Sequence, residues 1–148
     1  PQDERLGRVA KAAPGTETAA RRLLALMEAG LTPVMSSVGI DDEGRLWNIN
    51  ADDVALAVAL LLEAPLVFLS DVRGVLDAEK NLIRTLTPDT AQKLMADGVI
   101  SGGMTIKVNA ALAAAAATKA PVAVASVFDE TLTHCLLSGK LPGTVFAA

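Results

Sequence analysis

Cysteine, histidine and aromatic residues are scarce in this 148-residue chain. It contains one cysteine, one histidine and no tyrosine, its aromatic content is 3%, and its formal net charge at pH 7 is -4. A single thiol, Cys135, excludes an internal disulfide and a cysteine-based zinc cage and fits a reducing compartment. Because no basic stripe or aromatic platform can be drawn, we expect no nucleic-acid partner. The expected partner is a small molecule, and the expected location is the cytoplasm.

Long hydrophobic runs are also missing, although 51% of the residues are hydrophobic and the mean hydropathy is +0.41. The apolar run Val54–Leu62 has nine residues, and about 20 are needed to cross a bilayer. We therefore expect no membrane segment and one globular domain with a well-buried core. The chain opens at Pro1 without an initiator methionine or leader, which leads us to expect an upstream region that is not seen here.

Strand and helix patterns alternate along the chain. Residues 1–15 are polar and indicate a connecting segment, and residues 16–148 indicate one lobe. Thr16 predicts a helix start and Gly30 its end. Strands are predicted at Pro33–Val38, Arg45–Asn50, Leu66–Leu69, Val122–Ala125 and Gly143–Phe146, and further helices at Val54–Leu62, from Thr87-Pro88 to Asp97-Gly98, after Gly102-Gly103 and at Asp129–Leu137. The alternation predicts an α/β fold with a mainly parallel sheet sandwiched by helices.

The segment Asn48-Ile49-Asn50-Ala51-Asp52 alternates like a strand, so its three polar side chains point the same way. An asparagine there can donate to a substrate carboxylate, and an aspartate can orient a lysine by ion pairing. The alternative interpretation is a polar turn in which Asp52 caps the next helix.

A second segment, Gly102-Gly103-Met104-Thr105-Ile106-Lys107, places a lysine just past a glycine pair where a helix can begin. Flexible backbone, free helix N–H groups and a cation together form a phosphate site. The alternative is a loop glycine pair followed by a solvated lysine, because the pattern differs from the P-loop.

The loop Ser70–Leu76 follows a predicted buried strand, at the sheet edge where parallel α/β proteins bind ligands. Its apolar residues flank Asp71 and Gly74, an arrangement suited to a purine and a ribose. An ordinary connection between strand and turn is the alternative.

Taken jointly, these segments resemble the amino acid kinase family. The resemblance rests on P-V-M-S-S-V-G at 33–39, D-E-G at 42–44, N-I-N-A-D at 48–52, L-S-D-V-R-G-V at 69–75, S-G-G-M-T-I-K-V at 101–108 and G-T at 143–144. It implies a carbamate kinase-like fold, of which this chain would form only the C-terminal, nucleotide-binding lobe.

The resemblance also implies an activity: phosphorylation by ATP, with Mg²⁺, of the side-chain carboxylate of N-acetyl-L-glutamate in arginine biosynthesis. Asn48 would hold acetylglutamate, Asp52 would organise the catalytic lysines, and Lys107 would stabilise the transferring phosphoryl group. No residue is assigned as a metal ligand. The nucleotide-contacting residues implied are Asp71, Val72, Arg73, Gly74, Val75, Leu76, Val99, Ile100 and Ser101.

Two expectations follow about what the chain can do alone. A side-chain carboxylate is ionised at neutral pH, so its attack on the γ-phosphate needs no general base. The family's N-terminal lysine strand and G-G-G phosphate loop are not found in this sequence, so we expect a missing N-terminal lobe. The chain alone should bind nucleotide without turnover, and the full-length protein is expected to be a homo-oligomer.

Three alternatives stay open at this point. The first is a sister kinase acting on an aminoadipate derivative or on glutamate. The second is the non-catalytic, regulatory kinase-like domain of an acetylglutamate synthase, against which the joint presence of Asp52 and Lys107 argues. The third is a nucleotide-binding domain with an unrelated substrate.

Overall fold

Helices and strands alternate through most of the structure, a computed structural model that describes residues 2–3, 7–118 and 120–147. Residues 1 and 4–6, part of the predicted connection, lie outside the described residues. The described helices are α1 Glu17–Glu28, α2 Ala51–Leu62, α3 Pro88–Ala96, α4 Gly103–Ala117 and α5 Leu132–Leu137. The described strands are β1 Gln2–Asp3, β2 Gly7–Ala10, β3 Val38–Ile40, β4 Leu46–Ile49, β5 Leu66–Ser70, β6 Thr85–Leu86, β7 Val122–Ser126 and β8 Thr144–Phe146.

The helix ends follow local capping chemistry. The Thr16 side chain accepts a hydrogen bond from the Ala19 N–H at the start of α1. Thr87 caps α3 in the same way, with Pro88 in the first turn, where its missing N–H has no cost. The helix predicted from Asp129 begins only at Leu132, because the Asp129 carboxylate accepts from the Thr131 N–H and forms a turn first.

The chain divides into two compact units, Pro1–Leu62 and Glu63–Ala148. The first unit contains a sheet of order β1-β2-β4-β3, in which the β2–β4 pair is parallel and the other two pairs are antiparallel. Strand β2 lies inside the segment interpreted from sequence as a connection. The strand predicted at Pro33–Val38 is wrong over most of its length: β3 begins at Val38, and residues 32–36 have no regular structure.

The second unit contains a sheet of order β5-β7-β8-β6. The β5–β7 and β6–β8 pairs are parallel, and the β7–β8 pair is antiparallel. All five residues of β7 are buried. Helix α4 buries its small side chains Val108, Ala111, Ala114 and Ala115, and small side chains let a helix approach a sheet closely. The α/β class is therefore confirmed, with mixed sheets. None of the described helices combines the length and apolar character needed to cross a membrane.

Asp41 organises the hairpin between β3 and β4. Its Oδ1 accepts from the N–H groups of Glu43 and Arg45, and its Oδ2 accepts from Arg45 Nε at 2.8 Å and Trp47 Nε1 at 2.9 Å. These donors, first the Arg45 N–H and then the Trp47 indole, hold the pKa of the Asp41 carboxyl well below its usual range. The conformation of the hairpin that carries Asn48 therefore depends on the ionised carboxylate of Asp41.

This contact predicts an acid-sensitive hairpin. Because the pKa of Asp41 is lower in the folded state, its stabilisation is present above the unfolded-state pKa of about 3.9 and is lost as pH falls toward the folded-state value. Fluorescence of Trp47, the one tryptophan, should stay constant from about pH 7 to about pH 5 and change below about pH 4. Asp41→Asn should show the altered emission already at neutral pH, whereas Asp42→Asn should follow the parent. Identical profiles for Asp41→Asn and the parent would contradict this role.

Candidate functional site

Lys107 connects the first turns of α4 to the carboxyl end of β5. Its Nζ donates to the Ser70 hydroxyl and lies 3.5 Å from Asp71 Oδ1. The Lys107 side chain is 44% exposed and that of Asp71 79% exposed, so both are accessible to a ligand. The structure thus brings together two of the residues that sequence analysis proposed, from segments far apart in the chain, and adds Ser70 between them.

The hydrogen bonds within the cluster of Ser70, Asp71 and Lys107 favour the ionised form of the Asp71 carboxyl. Ser70 Oγ donates to Asp71 Oδ1 at 2.9 Å. That hydrogen bond first, and then the backbone of Asp71 and the Lys107 charge, lower the pKa of the Asp71 carboxyl. The sequence offered one signal for Ser70: it opens the loop that follows the predicted buried strand Leu66–Leu69, immediately before Asp71.

Helix α4 begins beside this cluster with an uncapped N-terminus. Gly102 precedes the helix with φ +57°, no side chain caps the first turn, and a Cβ at Gly102 would meet nothing within 4 Å. The helix dipole and exposed backbone favour an anion at this end, and Lys107 adds a full positive charge nearby. The combination can hold a phosphate group and stabilise negative charge that develops on it.

The side chain of Thr144 holds the loop 71–76 in place through two hydrogen bonds. Thr144 Oγ1 accepts from the Val75 N–H at 2.9 Å and donates to the Ile83 carbonyl at 2.6 Å, and Thr144 is fully buried. Gly74 has φ +138°, and a Cβ there would lie 2.6 Å from Thr144 Oγ1. In the sequence Thr144 stands out only as part of the G-T pair at 143–144, because its contact with Val75 joins residues 69 positions apart.

The nucleotide-contacting residues proposed from the sequence differ in how exposed their side chains are. Gly74, Val75 and Ile100 are buried in the second unit, and the side chains of Val75 and Ile100 belong to its core. Val72 and Val99 are partly buried. The side chains left exposed, and hence able to contact a ligand directly, are those of Asp71, Arg73, Leu76 and Ser101.

Asn48 and Asp52 belong to the first unit, whereas Lys107 and the nucleotide segments belong to the second. Asn48 lies in β4 between β2 and β3, and its side chain is exposed. The interpretation of Asp52 as a helix cap is wrong: Asn50 precedes α2, and its Oδ1 accepts from the Asp52 N–H at 2.8 Å. The exposed Asp52 carboxylate therefore does not serve as that cap.

Comparison with known proteins defines the class. The profile of the Amino acid kinase family matches residues 4–126. The chain therefore belongs to the amino acid kinase family.

Among individual relatives, the acetylglutamate kinase of Vibrio campbellii (strain ATCC BAA-1116) is 46% identical over 145 residues, which cover 97% of this chain and 54% of that protein. The chain thus spans about half the length of the curated relatives it matches.

Solved structures support the same fold. The N-acetylglutamate synthase of Neisseria gonorrhoeae, in a complex with coenzyme A and L-arginine, superposes with a TM-score of 0.71 at 27% identity, covering 92% of this chain and 32% of that one. A carbamate kinase from Giardia superposes with a TM-score of 0.58 at 19% identity, covering 88% of this chain and 47% of that one. The latter likeness concerns the fold alone.

Proposed function

We propose that this chain is the ATP-binding half of a kinase that phosphorylates the side-chain carboxylate of N-acetyl-L-glutamate. The observation that carries the proposal is the cluster of Lys107, Ser70 and Asp71 at the start of α4, in a chain 46% identical to a Vibrio campbellii acetylglutamate kinase. The reaction breaks the bond between the γ-phosphorus and the bridging oxygen of ATP, forms an acyl phosphate and releases ADP.

Charge stabilisation is the chemistry that the residues of this chain can supply. The attacking carboxylate is already ionised, so no side chain needs to remove a proton. Lys107 would offset the negative charge that spreads over the transferring phosphoryl oxygens. Asn48 would donate to the substrate, and Asp52 would orient catalytic lysines without abstracting a proton.

The nucleotide would lie along the loop 71–76 and the segment 99–101, with phosphates toward the N-terminus of α4. Mg²⁺ would neutralise phosphate charge when bound with ATP. The described part of the chain has no group of three His, Cys, Asp or Glu side chains placed to hold a metal. Magnesium commonly binds through one or two carboxylates together with substrate phosphates, and the exposed, ionised Asp71 carboxylate fits that donor set.

The activity would need a further lobe. The chain matches only 54% of the Vibrio kinase, and the family resemblance places the rest of the active site in an N-terminal lobe. We refer to the part of the Vibrio campbellii kinase outside the matched segment as the complementing lobe. The complete protein would act in the cytoplasm as a homo-oligomer.

Two alternatives remain. A regulatory domain of an acetylglutamate synthase is favoured by the TM-score of 0.71 with the Neisseria synthase; such a domain would not need Lys107 for turnover. A sister kinase for an aminoadipate derivative or glutamate would share the same nucleotide residues, and substrate competition in the two-lobed enzyme would separate it.

Calorimetric titration tests nucleotide binding by this chain. We expect saturable binding of Mg-ATP, weaker binding of Mg-GTP and no turnover without the complementing lobe. Gly74→Ala should weaken ATP binding roughly tenfold or more, because its Cβ would collide with Thr144 Oγ1 and displace the loop.

Gly44→Ala is the matched control for this titration. Gly44 also has positive φ, at +76°, but a Cβ there would meet nothing within 4 Å. ATP binding should therefore be unchanged in Gly44→Ala. Equal affinity for ATP in the parent and in a folded Gly74→Ala would contradict the assignment of the loop 71–76.

A further inference from the structure

Thr144 and Ser126 are the two polar residues that are buried in the part of the chain that the structure describes. The Thr144 hydroxyl accepts from the Val75 N–H at 2.9 Å and donates to the Ile83 carbonyl at 2.6 Å. Strand β8 pairs with β7 and β6 through its backbone, and a valine of nearly the same shape would suit such a strand equally well. The strand therefore does not require the hydroxyl, whose role lies in the two groups that it contacts.

Val75 and Ile83 stand opposite each other at the base of a short antiparallel turn. The Ile83 N–H donates to the Val75 carbonyl at 2.9 Å. The neighbouring pair, Leu76 and Leu82, forms an antiparallel bridge. In a regular antiparallel ladder, the two residues of a hydrogen-bonded pair exchange both N–H···O bonds. One of these two bonds is replaced here, because the Thr144 hydroxyl lies between the Val75 N–H and the Ile83 carbonyl.

The inserted hydroxyl sets the distance between two backbone segments. A direct N–H···O bond spans about 2.9 Å, whereas the route through Thr144 consists of two hydrogen bonds, of 2.9 and 2.6 Å. Val75 and Ile83 are therefore held apart on this side by a hydroxyl group. Without it, the Val75 N–H and the Ile83 carbonyl would satisfy each other, because leaving both buried and unpaired costs more than closing the turn.

This spacing reaches the candidate nucleotide site through a short length of chain. Ser70 ends β5 and is fixed by its pairing with β7. Val75 is held by the buried hydroxyl, so only the four residues 71–74 lie between two fixed points. The first of them is Asp71, whose carboxylate lies 3.5 Å from Lys107 Nζ. A shift of Val75 would therefore displace the backbone that carries Asp71.

We propose that Thr144 is a positioning residue for nucleotide binding: its hydroxyl separates Val75 from Ile83 and so places the loop 71–76 where Asp71 contacts the nucleotide. Thr144 is fully buried, and it acts through the backbone of the loop without touching the ligand. The proposal rests on the nucleotide site of the proposed function. Because a closed turn would satisfy the same two backbone groups, loss of the hydroxyl should change ATP affinity more than fold stability.

Thr144→Val tests the proposal, because it removes the hydroxyl and keeps the branched shape of the side chain. In calorimetric titration of the chain, we expect the Kd for Mg-ATP to rise roughly tenfold, while urea unfolding stays cooperative. Thr144→Ser keeps the hydroxyl and should bind Mg-ATP within about threefold of the parent. A merely structural role predicts the opposite order, because serine loses the methyl group that packs in the core and valine retains it.

A second readout follows the turn itself and needs no nucleotide. In the ¹⁵N,¹³C-labelled chain, NMR detects the scalar coupling across a hydrogen bond from the Val75 N–H to the Ile83 carbonyl. We expect this coupling to be absent in the parent and in Thr144→Ser, where the N–H donates to the hydroxyl, and to appear in Thr144→Val. The amide resonances of Asp71 and Arg73 should shift in Thr144→Val as well.

Thr118→Val is the matched control. The Thr118 hydroxyl donates to the Ala120 carbonyl at 2.8 Å, which is a bond of the same kind, and Thr118 lies at the C-terminal end of α4, outside the loop. Its replacement should leave both the Kd for Mg-ATP and the resonances of the loop 71–76 unchanged.

The outcomes separate this proposal from the proposed function. Equal Kd values for the parent and a folded Thr144→Val, or a tenfold loss of affinity in Thr144→Ser, would overturn the role of the hydroxyl and leave the kinase assignment standing. The serine variant decides the question if Thr144→Val does not fold. If the chain alone does not bind Mg-ATP, the KM for ATP of the two-lobed kinase replaces the Kd, with the same expected ratios. Absence of ATP use there would refute the proposed function, whereas the closed turn of Thr144→Val would still be detected by NMR.

Discussion

Replacing Lys107 with alanine in the two-lobed kinase, assembled from this chain and the complementing lobe, should lower kcat by about 10²- to 10³-fold. The reason is the position of Nζ, which contacts Ser70 and Asp71 beside the uncapped start of α4. A charge that acts on the transferring phosphoryl group changes kcat more than the KM for ATP. Lys107→Arg should recover part of the rate, because it keeps the charge but changes its geometry.

Lys93→Ala is the control for this measurement, since Lys93 is an exposed lysine on α3 that sequence and structure leave outside the candidate site. Its kcat and KM should equal those of the parent. Unchanged turnover in Lys107→Ala would refute the assignment of Lys107. A rise in the KM for ATP with constant kcat would indicate that Lys107 binds ATP but does not stabilise the transferring phosphoryl group.

Gly143→Ala should destabilise the second unit by about 3–5 kcal/mol, the range of severe backbone and packing disruptions. Gly143 has φ +69°, and a Cβ there would lie 2.0 Å from the Val124 carbonyl oxygen and 2.8 Å from Ala125 Cα. Both obstacles are backbone atoms of the buried strand β7, so no side-chain rotation relieves the collision. Urea unfolding monitored by circular dichroism measures the loss.

Gly139→Ala separates crowding from backbone conformation. Gly139 has nearly the same φ, +72°, but a Cβ there would meet nothing within 4 Å. Its substitution should cost about 1 kcal/mol, the usual penalty of a left-handed conformation for an L-residue. Similar unfolding free energies for the two variants would contradict the view that β7 and β8 approach too closely for any side chain at position 143.

The helix boundaries were the most predictable part of the fold, because their signals are local. Thr16 and Thr87 cap the helices that the sequence assigns to them. The strand at Pro33–Val38 was not predictable in the same way, because a strand forms only when another strand pairs with it. Strand β2 was missed for the converse reason: a polar segment becomes a strand by pairing with β4.

The sequence predicted the separate segments of the candidate site but not their arrangement in space. The sequence placed Lys107 after a glycine pair and Asp71 after a buried strand, but their separation of 3.5 Å depends on how α4 packs against β7, the strand paired with β5. Thr144 shows the same limit more clearly, since its hydroxyl joins Val75 and Ile83 across the second unit. A residue that supports a loop through hydrogen bonds to distant parts of the chain has no spacing pattern in the sequence that reveals this role.

The most direct test of the account is acyl phosphate formation, measured as the hydroxamate trapped by hydroxylamine with Mg-ATP and N-acetyl-L-glutamate. We predict product when this chain and the complementing lobe are combined, and none from either alone. Product should also be lost when the chain carries Lys107→Ala. Turnover by the 148-residue chain alone, or its failure in a well-formed complex that binds ATP, would contradict the claim that this chain supplies the ATP-binding half of an acetylglutamate-phosphorylating enzyme.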